Sequence, residues 1–399
     1  MNRQQTFLGL MGYFFIGTGA ILIPSVMPSI TAEFAATGLA LAAIGLIFPA
    51  SAVGGILGNL LAGLGSDLIG RRRMVWLAAL VLAVALGLTA SATLWPLFVA
   101  GFVLVSATQG SLSTGINAMI ADANRAARAR ALNTLHGVYG MGATVSPLVI
   151  GYFLEQGLHW RWALGATGLI WLLYALTAYG SGRRAASGEQ PPPAQRLDLS
   201  MLRQTPFLAL FLIGFIYNGI AVSLLGWIAL IMQESAGFST LVSVSMVSVF
   251  YMALTAGRFF CAAFAERIGY ARILLVLAVG ITLTYPLVVL GIHSLLLVTT
   301  GVFLTGLSLS GLFPMAIAFA SRLYPGQTGA LSGALSVSLT IGSMVPPLWT
   351  AVFAGLWGFQ IALGINFLMA PPLIVLALYL GRVEGGETVA QPASTGAMG

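Results

Sequence analysis

The chain has 399 residues, of which 58% are hydrophobic and 7% charged, with a formal net charge of +7. Soluble domains average roughly 25% charged residues, so this sequence lacks the polar surface of a water-facing fold and reads as a lipid-embedded protein. Its 17 basic residues are all arginine and are not gathered on an amphipathic element with interleaved aromatics, which argues against a nucleic-acid partner.

Only Arg3 precedes the first apolar run, 7–30, which is too long for a signal-peptide core and predicts a spanning helix. A bilayer crossing takes about 20 apolar residues. There are 48 uncharged residues between Arg73 and Asp122 and 59 between Arg322 and Arg382, so each stretch holds several helices. Cutting at glycine, proline and charged punctuation predicts twelve spans: 7–30, 39–61, 74–92, 97–120, 132–154, 162–179, 207–232, 241–265, 273–292, 295–320, 329–356 and 360–380. Six lie on each side of Arg183, Arg184, Glu189, the run Pro191 to Pro193, Arg196 and Asp198, a composition that predicts a solvated linker. The expected organisation is a bundle at 1–180, a cytoplasmic linker at 181–203, a second bundle at 204–382 and a disordered tail at 383–399. With both termini cytoplasmic, 16 of the 17 arginines fall at or near that face, Arg161 excepted, as the positive-inside rule requires of a multi-pass protein of the cell's inner membrane. Cys261 is the single cysteine, so neither an intrachain disulfide nor a cysteine metal cage is expected.

Within this frame one loop is written twice. Gly63, Gly65, Asp67, Gly70, Arg71, Arg72 and Arg73 are answered 199 residues later by Ala262, Phe264, Glu266, Arg267, Gly269 and Arg272, each set between two apolar spans. A period of half the chain marks a duplicated bundle. The first copy resembles the signature loop between the second and third helices of the major facilitator superfamily, and helix count and central linker extend the resemblance over the whole chain. The resemblance implies an all-α membrane protein of 12 transmembrane helices in two pseudo-symmetric six-helix bundles that rock about a central site. Gly63, Asp67, Gly70, Arg71 and Arg72, with Arg258, Glu266, Arg267 and Gly269 at the second copy, are then expected to form a conformational latch. Leu68 stands where that family usually has a basic residue. The plainer alternative is that these arginines only anchor topology.

Finer strings resemble the fucose-permease-like sugar transporters of that superfamily: Asn133, Leu135, His136, Tyr139, Gly140, Gly142 and Pro147 in helix five, Tyr217, Gly219, Gly226 and Trp227 in helix seven, and Gly306, Phe313 and Pro314 in helix ten. The chain departs at Ala20, Ser113 and Ala221, where those relatives often carry a membrane carboxylate, and at Ser106, where many exporters carry an arginine. All ten acidic residues fall near predicted interfaces or in loops, so no central carboxylate is expected to carry protons. His136 is the one histidine placed inside the bundle, as a proton carrier or as a hydrogen-bonding or packing residue.

Buried amides and hydroxyls are costly in lipid unless satisfied, so they mark partners or a wet cavity. Gln109, Ser113 and Asn117 recur every four residues on one face of helix four, Asn133, His136 and Tyr139 share a face of helix five, and Tyr217, Asn218, Trp227 and Tyr251 offer the second half's contribution. Amides for hydroxyls and aromatic faces for the ring suit a sugar or polyol, although interhelical hydrogen bonding is the equal alternative for each residue alone. Arg258 is read as pairing with Glu266 or helix carbonyls, ahead of binding an anionic substrate. Gly54 with Gly58 and Gly329 with Gly333 predict close helix approach. Pro24, Pro28, Pro49, Pro147, Pro286, Pro314, Pro346 and Pro347 predict bends. The expectation is a monomeric transporter in the lipid bilayer, taking a small-molecule substrate with no metal, cofactor or catalytic residue. A multidrug or metabolite exporter is the alternative. A non-transporting receptor, a lipid translocator and, last, a membrane enzyme are more distant readings.

Overall fold

The computed structural model describes residues 3–124, 128–180, 203–324 and 328–390, and the described secondary structure is helical throughout, with no strand. The expected linker up to residue 202 and the last residues of the tail lie outside the described residues. In chain order the first half contains α1 (Arg3–Ala20), α2 (Leu22–Ala35), α3 (Leu41–Ile44), α4 (Ile47–Ile69), α5 (Arg71–Ser91), α6 (Trp95–Ala123), α7 (Arg128–Glu155) and α8 (Arg161–Gly180). The second half contains α9 (Thr205–Ala236), α10 (Thr240–Ile268), α11 (Tyr270–Leu290), α12 (Leu295–Leu309), α13 (Leu312–Leu323), α14 (Thr328–Trp357), α15 (Phe359–Phe367) and α16 (Ala370–Ala390). Joining the broken pairs leaves one helix for each of the twelve expected spans. Eleven are long and apolar enough to cross a bilayer, and α8, 20 residues with Arg161 at its start, takes the twelfth place.

Four spans are broken, each beside a proline. The proline ring clashes with the carbonyl four residues earlier and removes a helix donor. Pro24 faces the break at Ile21, Pro49 the break at Gly45, Pro314 the break at Ser310, and Pro371 and Pro372 the break at Leu368. Pro28, Pro147, Pro286, Pro346 and Pro347, also expected to bend helices, lie inside continuous ones.

The duplication is legible in the backbone. Gly70 (φ 83°, ψ 142°) and Gly269 (φ 93°, ψ 144°) each join two helices as a single residue in a conformation that only glycine adopts without strain. The other positive-φ residues among those described also pair by repeat: Gly38 with Gly237 and Gly157 with Gly358. Helix partnerships repeat too. In the first half α1 packs on α7, α4 on α6 and α5 on α8; in the second, α9 packs on α14, α10 on α12 and α11 on α16.

Small residues set the closest approaches. A Cβ on Gly58 would lie 1.8 Å from the Ala107 carbonyl oxygen and one on Gly54 2.4 Å from that of Val103, so α4 and α6 touch backbone to backbone. Gly333 does not play the matching part, since nothing lies within 4 Å of it, and the side of Gly329 is outside the described atoms. Gly342, with the Phe215 carbonyl oxygen 2.5 Å from its would-be Cβ, makes the equivalent approach between α14 and α9.

The halves meet through α7 on α10, α4 and α3 on α14, and α2 on α9. Most of the named contacts lie at the end away from the linker. Glu155 accepts from the Leu241 backbone N–H at 2.9 Å, Gly45 abuts Ala351, and the Phe48 and Trp227 rings lie 5.4 Å apart. Toward the linker side Leu57, Leu60 and Leu61 of α4 and Val337 of α14 are exposed. At the C-terminus α16 runs from Ala370 to Ala390, and Glu384 accepts from Arg322 at 3.3 Å.

Candidate solute site between the halves

Four polar side chains of the first half converge on Tyr13 of α1. Its hydroxyl lies 3.1 Å from Ser113 Oγ and accepts from the Asn117 side-chain amide, and its ring centroid is 5.6 Å from that of His136 and 6.3 Å from that of Tyr139. Ser113 and Asn117, one turn apart on α6, therefore use one face as expected, but toward α1. Tyr13 escaped the sequence reading because its partners lie 100 and 104 residues away. Gln109, on the same face, instead faces Gly19 beside the α1/α2 break, where its amide nitrogen is buried without a hydrogen-bond partner.

From the second half come Tyr217 and Tyr251. Tyr217 stacks on Phe313 at 6.2 Å and 9°, and Tyr251 faces Tyr139 across the halves. Gly140 sits beside Thr255 at the same crossing, where a Cβ would lie 2.6 Å from the threonine hydroxyl. His136 is exposed although it packs edge-on to Tyr13 and faces the Arg258 charge, so its exposure is to the space between the halves. Asn133, one turn nearer the linker side, is exposed as well.

Arg258 departs from its expected role. It lies ten residues before the end of α10, about 15 Å along the axis, so it is neither at the linker-side face nor paired with Glu266. Its Nη2 donates to the Tyr217 hydroxyl at 3.3 Å, while Nε is buried without a partner. Glu266 instead accepts from the Tyr270 hydroxyl, the Arg322 guanidinium lies 5.4 Å from the centre of that ring, and Arg322 reaches Glu384. The second loop is thus tied to α13 and α16. At the first loop the Asp67 side chain lies outside the described atoms, and Arg71 and Arg72 both have partners. Gly63 is exposed with nothing within 4 Å of a would-be Cβ, and Arg267 sits in the last turn of α10.

Two further candidates do not reach the site. Trp227 is fully buried, donates to the Pro347 carbonyl at 3.0 Å and packs on Phe48 and Phe359, because Gly226 leaves room for the Phe48 ring beside it. Asn218 donates to the Leu339 carbonyl at 2.6 Å, joining α9 to α14. A cavity of about 310 Å³ lies elsewhere, near His293, Gln360 and Trp357 at the end away from the linker, and contains none of the convergent polar groups.

The architecture and the sequence agree with known proteins. The Major Facilitator Superfamily model matches residues 9–293 and 245–397. The chain is 26% identical over 381 residues to a chloramphenicol resistance protein of Streptomyces lividans, covering 90% of this chain and 93% of that one. It is 22% identical over 336 residues to the glucose/mannose transporter GlcP of Bacillus subtilis, covering 79% and 80%. A crystal structure of a D-xylose-proton symporter superposes with a TM-score of 0.74 at 14% identity, covering 94% of this chain and 96% of that one, which bears on the fold alone. The chain is a multi-pass membrane protein belonging to the Major Facilitator Superfamily of transporters.

Proposed function

We propose that this transporter moves a small polar solute of the sugar or polyol class across the inner membrane by alternating access, as a monomer with both termini cytoplasmic. The observation that carries the reading is the convergence of Tyr13, Ser113, Asn117, His136 and Tyr139 from one half with Tyr217, Tyr251 and Arg258 from the other at one depth in the bundle. Hydroxyls and an amide are the groups that exchange hydrogen bonds with a polyol, and the stacked Tyr217 and Phe313 rings offer an apolar face. None of the described acids enters this cluster, which supports transport without a central carboxylate proton site. The glucose/mannose relative and the fucose-permease-like strings favour the same class.

The test is counterflow of labelled hexoses and polyols in proteoliposomes containing the purified full chain. Saturable exchange that produces no substrate-induced alkalinisation is expected; proton movement abolished by His136→Ala would overturn the uncoupled reading. The second reading, a drug or metabolite exporter, is favoured by the chloramphenicol-resistance relative and by the aromatic lining at Tyr217, Phe313 and Tyr251. Export of a lipophilic cation with no saturable flux of a polar solute would decide for it.

A further inference from the structure

We propose that the transported solute carries an anionic group, a carboxylate or a phosphate, and that Arg258 is its anchor; this deepens the polar-solute reading of the same site and rests on it. A guanidinium stays charged at every physiological pH, and a charge inside a bundle is retained only when something balances it. Among the described residues Arg258 has neutral neighbours. Its Nη2 has the Tyr217 hydroxyl at 3.3 Å, the Tyr139 and Tyr251 hydroxyls and the His136 ring face its charge, and its Nε is buried with no partner.

The described carboxylates are engaged or placed elsewhere. Glu33 pairs with Arg161, Glu155 accepts from the Leu241 N–H, Glu266 accepts from Tyr270, and Glu384 pairs with Arg322. Glu234 is exposed near the far end of α9. The backbones of Asp67 and Asp122 lie in the last turns of α4 and α6, at helix ends, whereas Arg258 is about 15 Å inside α10.

A fixed cation without a fixed anion makes an empty site electrostatically incomplete, and an anionic solute completes it. The Nε and Nη2 edge has the fork geometry that takes a carboxylate or phosphate through two parallel hydrogen bonds. The hydroxyl and amide groups around Tyr13 stand across the same space, on the other half. One solute reaching both needs an acidic end and hydroxyls, as in a sugar acid or a sugar phosphate, and its charge cancels that of Arg258 while the site crosses the low-dielectric midplane.

The experiment uses the full chain in proteoliposomes and in detergent, with D-gluconate, D-glucuronate, glucose 6-phosphate, D-glucose and chloride as probes. Saturable counterflow of at least one acid is expected, with D-glucose at least tenfold poorer. Arg258→Gln should weaken acid transport about a hundredfold without collapsing the melting temperature. Arg258→Lys should keep the preference for acid over glucose with weaker binding, which tests the charge even where Arg258→Gln folds poorly. Glucose flux that equals or exceeds that of every acid and is indifferent to Arg258→Gln overturns the anionic assignment and leaves the polar-solute reading standing. Stabilisation by chloride equal to that by the acids, without acid flux, assigns the site to an inorganic anion and also overturns it. Export of a lipophilic cation alone removes the underlying reading as well.

Discussion

Trp227 and Tyr217 lie ten residues apart on one helix and do different work. Trp227 fills the far-end core with its indole N–H on the Pro347 carbonyl, while Tyr217 offers its hydroxyl to Arg258 and its ring to Phe313. Trp227→Phe should therefore lower the melting temperature in detergent, by a stability loss of about 1 kcal/mol for the hydrogen bond, and leave solute preference unchanged. Tyr217→Phe should weaken solute exchange with little effect on melting, because Arg258 loses its hydroxyl while the apolar ring stays. Gly58 is the most sterically demanding small residue named here: Gly58→Ala drives a methyl into the Ala107 carbonyl and must push α4 from α6, a loss of about 2–3 kcal/mol. The first-half glycine pair was readable from its spacing, whereas the similar spacing of Gly329 and Gly333 was misleading, because spacing places residues on a face without saying which neighbour that face meets.

Between elements, the polar contacts divide by end. At the end away from the linker, Glu33 receives Trp160 Nε1 at 2.6 Å and Arg161, whose Nη1 also donates to the Ala90 and Ala92 carbonyls at 2.7 and 2.6 Å. This clamp joins α2, the end of α5 and the start of α8. Arg161→Ala should cost about 1–2 kcal/mol, since the pair is partly exposed and truncation also frees two carbonyls; thermal unfolding measures it. Across the halves, Glu155 accepts from an amide in the first turn of α10, where a carboxylate is favoured by the helix dipole. Glu155→Gln should shift the halves toward opening at that end by a few-fold, read as faster thiol labelling of Val244→Cys in the double variant. Proline chemistry accounts for the four breaks but does not tell from sequence which prolines will break a helix, because Pro28, Pro147 and Pro286 obey the same local chemistry inside helices that remain continuous.

For the whole molecule, two copies of one helical arrangement joined at α7/α10 and α4/α14 can rock only if contacts made at one end are lost at the other. Spin labels at Thr37, between α2 and α3, and at Ser235, in the last turn of α9, both at the closed end, should move apart when solute is added, while labels at Leu68 and Ile268, beside the duplicated glycine turns, should approach. Label distances that stay fixed through saturating solute would contradict the rocking motion. The class of molecule, the twelve spans and the repeat were decided by sequence alone, because a continuous apolar run of about 20 residues satisfies its backbone in lipid as a helix, and because Gly70 and Gly269 permit a turn other residues resist. Which side chains meet at the candidate site was decided only by the tertiary structure. Tyr13 meets Asn117, 104 positions away, and Arg258 meets Tyr217, 41 positions away, in place of Glu266, through helix rotations and depths that depend on which neighbours each helix packs against.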